Sequence, residues 1–238
     1  MSTLLDLVGA ILPFGLGVSV SPVPIIVSVL ILLSPRSRAN GIAFLLGWAV
    51  GIAAVVTVLT LLAGYLPTDS SDGPNPAAGV LQLALGVWLL VLARRKFRPT
   101  ESEPGPDAEL DPDTGLPVPQ LPGWMSSIAS TTPVRSLRSG LLFAGANPKN
   151  VAFAAGAAIT IGTAGLGAGD IALLLVIYTV IASLTVAVPV GLHLLFPVRT
   201  EKPLRALEVW LMRNNTTIAV VLLLVYGVLL IGQGIASF

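Results

Sequence analysis

Six apolar stretches in which charge hardly occurs dominate the chain, at about residues 4–33, 39–66, 77–93, 137–162, 170–197 and 216–236. A helix needs about 20 such residues to cross a hydrocarbon layer of about 30 Å. The segments therefore predict an all-α integral membrane protein with six transmembrane helices. Only 11% of the residues are charged, against roughly 25% in soluble domains. The absence of cysteine excludes disulfide scaffolds, thiolate metal sites and thiol redox chemistry, and the single histidine excludes a His-rich metal cluster. No cofactor and no nucleic-acid partner is expected. The opening "MSTLLDLVGAILPFGLGVSV" lacks the basic region of a signal peptide and reads as a retained first span.

The basic residues orient the spans. Arg36 and Arg38 lie between spans one and two. Arg94, Arg95, Lys96, Arg98, Arg135 and Arg138 flank the connection between spans three and four. Arg199, Lys202, Arg205 and Arg213 lie between spans five and six. The remaining connections, "PTDSSDGPN" and "GTAGLGAGD", carry none. Cytoplasmic loops are enriched in Lys and Arg, so the basic connections are expected inside and both termini outside a plasma membrane.

Residues 1–98 and 137–238 thus form two three-helix halves, joined by a Pro-, Glu- and Asp-rich connection at 99–136. Its composition cannot bury enough apolar surface to fold and predicts a disordered cytoplasmic loop. "RRKFR" before it reads as an anchor at anionic headgroups. "PLRALEVWLMRNN" puts Leu204, Leu207 and Leu211 on one helical face, which fits either an interfacial helix or an ordinary connector.

Two spans contain breakers where breakers are costly. The first holds "SVSPVPIIVSVL", with Ser21, Pro22 and Pro24; the fourth holds "AGANPKNVAFAA", with Asn147, Pro148, Lys149 and Asn150. Each half holds three spans, an odd number, so the halves enter from opposite sides. This is the pattern of an inverted repeat with a broken first helix in each half, and such breaks mark substrate sites. Ser21 and Asn147 are favoured N-cap residues, and Pro22 and Pro148 suit the first helical position. Two new helix N-termini near the midplane would favour an anion. A plain proline kink is the alternative.

Lys149 lies eleven residues beyond Arg138, about 16 Å along a helix at 1.5 Å per residue. That depth makes an unpaired ammonium expensive and marks a candidate functional site. No Asp or Glu occupies a span core. The charge must then be lost, solvated by a cavity, or paired with an anion on the cargo, and the last two together are favoured. His193 in "VPVGLHLLFPVR" reads as a local hydrogen-bond partner, Pro189 as a kink, and "GWAVG" (Gly47 to Gly51) as a close helix-packing motif.

Ser-Pro-x-Pro in span one, Asn-Pro-Lys-Asn in span four, six spans and the long central loop resemble the sulfolipid- or glycopeptidolipid-addressing proteins, the Sap/GAP family. That family is similar to the lysine-exporter superfamily. The resemblance covers nearly the whole chain outside 99–136 and implies movement of cell-envelope glycolipids or related amphiphiles across the membrane. It places Ser21, Pro22, Pro24, Asn147, Pro148, Lys149 and Asn150 at the substrate site. Membrane carboxylates of the kind expected in cation exporters are missing, which argues against metal-ion export. The leading expectation is a transporter or flippase for an anionic lipid, its partners being membrane lipids such as an anionic glycolipid or phospholipid. A homodimer or a lipid-export complex is left open. Alternatives are an amino-acid or small-solute exporter, whose ammonium would lack an acidic partner, and an accessory subunit of a lipid-export assembly. An acyltransferase would rest on His193 with no carboxylate to orient it, so the chain is not expected to be an enzyme.

Overall fold

A computed structural model describes residues 4–66, 76–97 and 132–238. The described residues fold into eight helices: α1 (Leu4–Ser19), α2 (Pro22–Leu32), α3 (Ser37–Ala63), α4 (Pro76–Phe97), α5 (Pro133–Gly145), α6 (Pro148–Gly162), α7 (Ala168–Leu195) and α8 (Pro197–Ala236). The disordered-loop expectation lies outside the described residues up to 131. Its last residues correct the boundary, because α5 begins at Pro133. Thr132 caps that helix by accepting from the Arg135 amide at 3.5 Å, and Pro133 suits the first position, where no N–H is needed.

Four helices, α3, α4, α7 and α8, are each long and apolar enough to cross a membrane, and α1 with α2 makes a fifth as a pair bent by 55°. The expected fourth span falls on α5 and α6, of 13 and 15 residues. Arg135, Arg138 and Lys149 fall in this pair and lower its hydropathy.

Both expected breaks are present. The first lies at residues 20–21 and the second at 146–147. At the first, Val20 still donates to Leu16 O, but Ser21 N turns back to Ser19 O at 2.9 Å. The Gly17 carbonyl therefore loses the i+4 donor that a continuous helix would supply.

Glycines decide which helices touch closely. A Cβ at Gly47 would sit 2.0 Å from Leu137 O, and one at Gly140 would sit 2.4 Å from Phe44 O. At the far end of α3 a Cβ on Gly162 would meet Thr60 O at 2.7 Å. Thus α3 runs parallel to α5 and then to α6 along its length. Likewise α7 runs parallel to α1, with Tyr178 and Ile181 against Gly15 and Thr185 donating to Ser19 O. The pair α4 and α8 is antiparallel, with Gly79 against Gly234 and Gly86 against Gly227. Small residues let backbones approach where no hydrophobic force drives helices together. The packing expectation for "GWAVG" holds at both of its glycines, since a Cβ added at Gly51 would sit 2.6 Å from Ala144 Cβ.

The segment holding Leu204, Leu207 and Leu211 is neither a surface helix nor a connector. It is the first part of the 40-residue α8, about 60 Å long at 1.5 Å per residue. Leu204 and Leu211 are buried in the core, and Leu207 packs against it. That apolar stripe packs helix against helix.

His193 ties three helix ends together. Its Nδ1 lies 3.0 Å from Thr200 Oγ1 and its Nε2 lies 3.1 Å from Ser37 Oγ. Thr200 spends its own proton on the Phe196 or Pro197 carbonyl. Nδ1 must then donate to Thr200, and Nε2 accepts from Ser37. The expectation of a local hydrogen-bond partner is met. His193→Leu removes both bonds from a buried position and is expected to cost about 1–3 kcal/mol. Thermal unfolding of the purified protein reads that loss, and anion binding should stay unchanged because His193 is remote from the cavity described next.

Candidate functional site

The two breaks meet. Ser21 Oγ, at the start of α2, donates to Asn150 Oδ1 in α6 at 3.0 Å. Asn150 Nδ2 donates to Phe143 O at 3.2 Å, bridging the gap between α5 and α6. Lys149 Nζ reaches back to the end of α1, donating to Gly17 O at 3.0 Å and to Val20 O at 3.3 Å. The same ammonium stands 5.4 Å from the Phe153 ring centroid, within the range of a cation–π contact.

Those carbonyls are the partners that sequence reasoning missed. Lys149 acts as a C-cap for α1, where the broken ladder leaves oxygens exposed and the helix end carries partial negative charge. Nothing near Asn147-Pro-Lys-Asn could have named oxygens about 130 residues away. Hydrogen bonds to these two carbonyl oxygens use two of the three donors that an ammonium carries and leave one.

The N-cap expectations divide. Asn147 caps α6, accepting from the Lys149 amide at 3.1 Å. Ser21 occupies the N-cap position of α2 without a capping bond; its proton goes to Asn150 Oδ1, and Pro24 at the third helical position has no N–H for its oxygen to accept. The supply of backbone donors is also smaller than two helix starts suggest. Pro22, Pro24 and Pro148 have no N–H, and the Lys149 amide is already given to Asn147. Among residues 22–24 only Val23 has an amide to offer.

Between the breaks lies a cavity of about 200 Å³. Ser21, Pro22 and Val23 line one side, and Asn147, Pro148 and Lys149 another. Leu92, Ala219 and Leu223 supply apolar wall from α4 and α8. Pro24 and Asn150 are buried behind this lining. Sequence reasoning overlooked two further members, Arg95 and Lys96 from the last turn of α4, and read them only as headgroup anchors. Among the described residues the lining therefore holds three basic side chains and no carboxylate. Aromatic rings cluster beside Lys149, outside the cavity lining. Phe153 packs on Tyr226 with centroids 4.3 Å apart, and Phe14 lies 6.2 Å from Tyr226. Gly17 and Gly156 make room for these rings, since a Cβ at either would come within 2.7 Å of one. Among the described residues no group of three His, Asp or Glu could hold a metal.

Apolar helices long enough to span, two helix breaks joined across the chain and a cationic cavity between them define a multi-pass helical membrane protein with a polar interior site. A family model described as "Sap, sulfolipid-1-addressing protein" matches residues 11–236, and the chain belongs to that family. No curated protein and no solved structure matches the chain.

Proposed function

We propose that this protein is a transporter or flippase exporting an anionic cell-envelope lipid, glycolipid or related amphiphile, with the headgroup held in the cavity at Lys149. One observation carries the reading: three basic side chains line a small cavity between two broken helices, with no carboxylate beside them among the described residues. Basic side chains gathered around one cavity attract a counter-anion, most strongly at the buried Lys149. The family's description names a sulfolipid, a lipid with an anionic headgroup. Because the lining supplies few backbone amides, the side-chain cations must provide most of the attraction. An amino-acid exporter fits less well, since a substrate ammonium would meet only cations.

The reading includes six spans arranged as two inverted repeats, in the plasma membrane, with both termini outside. Its support is the packing. The pair α5 and α6 runs the length of α3, as α1 runs beside α7, and α4 meets α8 through reciprocal glycines. Each is what a two-fold axis in the membrane plane would produce. On this reading Arg95 and Lys96 lie at the cytoplasmic side. An accessory role in a larger export assembly is the second possibility that family membership allows.

Reconstitution into liposomes tests the proposal. Fluorescent phosphatidylglycerol in the inner leaflet should reach the outer leaflet at least several-fold faster with the protein than without it. Fluorescent phosphatidylcholine should gain little. Equal rates for both lipids, or no gain over protein-free vesicles, would refute it. Movement of amino acids without lipid would favour the small-solute exporter.

A further inference from the structure

We infer that Arg95 and Lys96 form a second anion subsite at the mouth of the cavity, which captures the anionic headgroup before it reaches Lys149. The inference rests on the proposed transport of an anion and adds the residues that set its rate of arrival. Three consecutive basic residues end α4, yet only Arg95 and Lys96 line the cavity; Arg94 does not. A mere headgroup anchor would have no reason to distinguish among them.

The two ends of the cavity are chemically unlike. Lys149 is buried and already bound to two carbonyl oxygens, so an anion must share or displace those bonds to reach it. Arg95 and Lys96 are exposed, and neither side chain makes a hydrogen bond, ion pair or ring contact among the described residues. A guanidinium fork can take two oxygens of a phosphate or sulfate at once, and the adjacent ammonium adds a mobile point charge. Exposed charges at the rim of a site chiefly change association rate and salt dependence, whereas buried charges change dissociation. Capture at Arg95 and Lys96 and retention at Lys149 are therefore separable.

Full-length protein in detergent micelles is mixed with a fluorescent short-chain phosphatidylglycerol, and association and dissociation rates are recorded from 20 mM to about 500 mM salt, a range over which the screening length falls several-fold. Arg95→Gln and Lys96→Gln should each slow association by about threefold to tenfold at low salt and flatten its salt dependence, leaving dissociation within about twofold. Arg94→Gln removes the same charge one residue away and should keep the wild-type rate. Lys149→Met should instead speed dissociation. If Arg94→Gln slows association as much as the other two, or if neither Arg95→Gln nor Lys96→Gln slows it, the subsite is refuted while lipid binding stands. If the wild-type protein binds no anionic probe, the transport reading falls and takes the subsite with it. Circular dichroism of each variant confirms that the helices are intact.

Discussion

Lys149→Met is expected to weaken binding of an anionic lipid tenfold or more and, at the same time, to lower the melting temperature. The binding loss follows from removing the buried cation of the site, since a hydrogen bond to a charged group is worth about 1.5–3 kcal/mol. The stability loss follows from the other side of the same ammonium. Gly17 O and Val20 O accept from it at 3.0 and 3.3 Å, and Gly17 is buried. Without Lys149 its carbonyl has no donor, at a cost of about 1–3 kcal/mol. Relief from desolvating an ammonium offsets part of that, so a net loss of about 1 kcal/mol is expected. From sequence, where the ammonium has no visible partner, the opposite sign follows; the carbonyl contacts reverse it. Lys149→Arg should recover part of both properties because the charge persists on a longer, planar group. Titration with the lipid and thermal unfolding on the three proteins give the answer. A Lys149→Met protein as stable as wild type would show that the α1 contacts contribute nothing to the fold.

Gly47→Ala is expected to be the most damaging single methyl group in the structure. Its Cβ would lie 2.0 Å from Leu137 O and 3.0 Å from Leu137 Cα. These are backbone atoms of α5, and a side chain cannot rotate away to relieve them. The helices α3 and α5 must separate, and Gly140 on the facing helix leaves no slack, being held against Phe44 O and Trp48 N. Overpacking of this kind costs about 1–3 kcal/mol, occasionally more, and the upper end is expected. Gly9→Ala is the control: nothing lies within 4 Å of its added Cβ, so it should be neutral or stabilising by about 0.5–1 kcal/mol. Thermal unfolding in detergent measures both. Equal melting temperatures for the two variants would show that α3 and α5 do not pack as described.

The breaks were readable from sequence because their cause is local. A Ser-Pro or Asn-Pro inside an apolar run removes backbone donors wherever it occurs, and both interruptions fall where those dipeptides predict. Lys149 was also conspicuous, since depth in a span can be counted from Arg138. Its partners were not, because the oxygens that receive it are freed by a break in another helix and look like ordinary glycine and valine in the sequence. Ser21 illustrates the same limit. Its residue type suits an N-cap, but Pro24 removes one amide that it could cap, and its proton finds an acceptor on the other half of the chain. Arg95 and Lys96 were misplaced for a different reason: a basic cluster at a helix end satisfies the headgroup explanation completely, and only the neighbouring helices reveal a cavity. The continuous α8 was missed because polar residues such as Arg213 and Asn214 suggest a boundary to a hydropathy window, although nothing there breaks a helix.

The cationic cavity can be tested directly because the chain has no cysteine of its own. Val23 lines the cavity opposite Lys149, so Val23→Cys places one thiol inside it. Its reaction rates with a negatively charged and a positively charged methanethiosulfonate reagent of similar size are then compared. The negative reagent should react at least about tenfold faster, an anionic lipid but not phosphatidylcholine should protect the thiol, and adding Lys149→Met should shrink the preference. Equal rates for the two reagents, with no protection by the anionic lipid, would contradict an anion site between the broken helices.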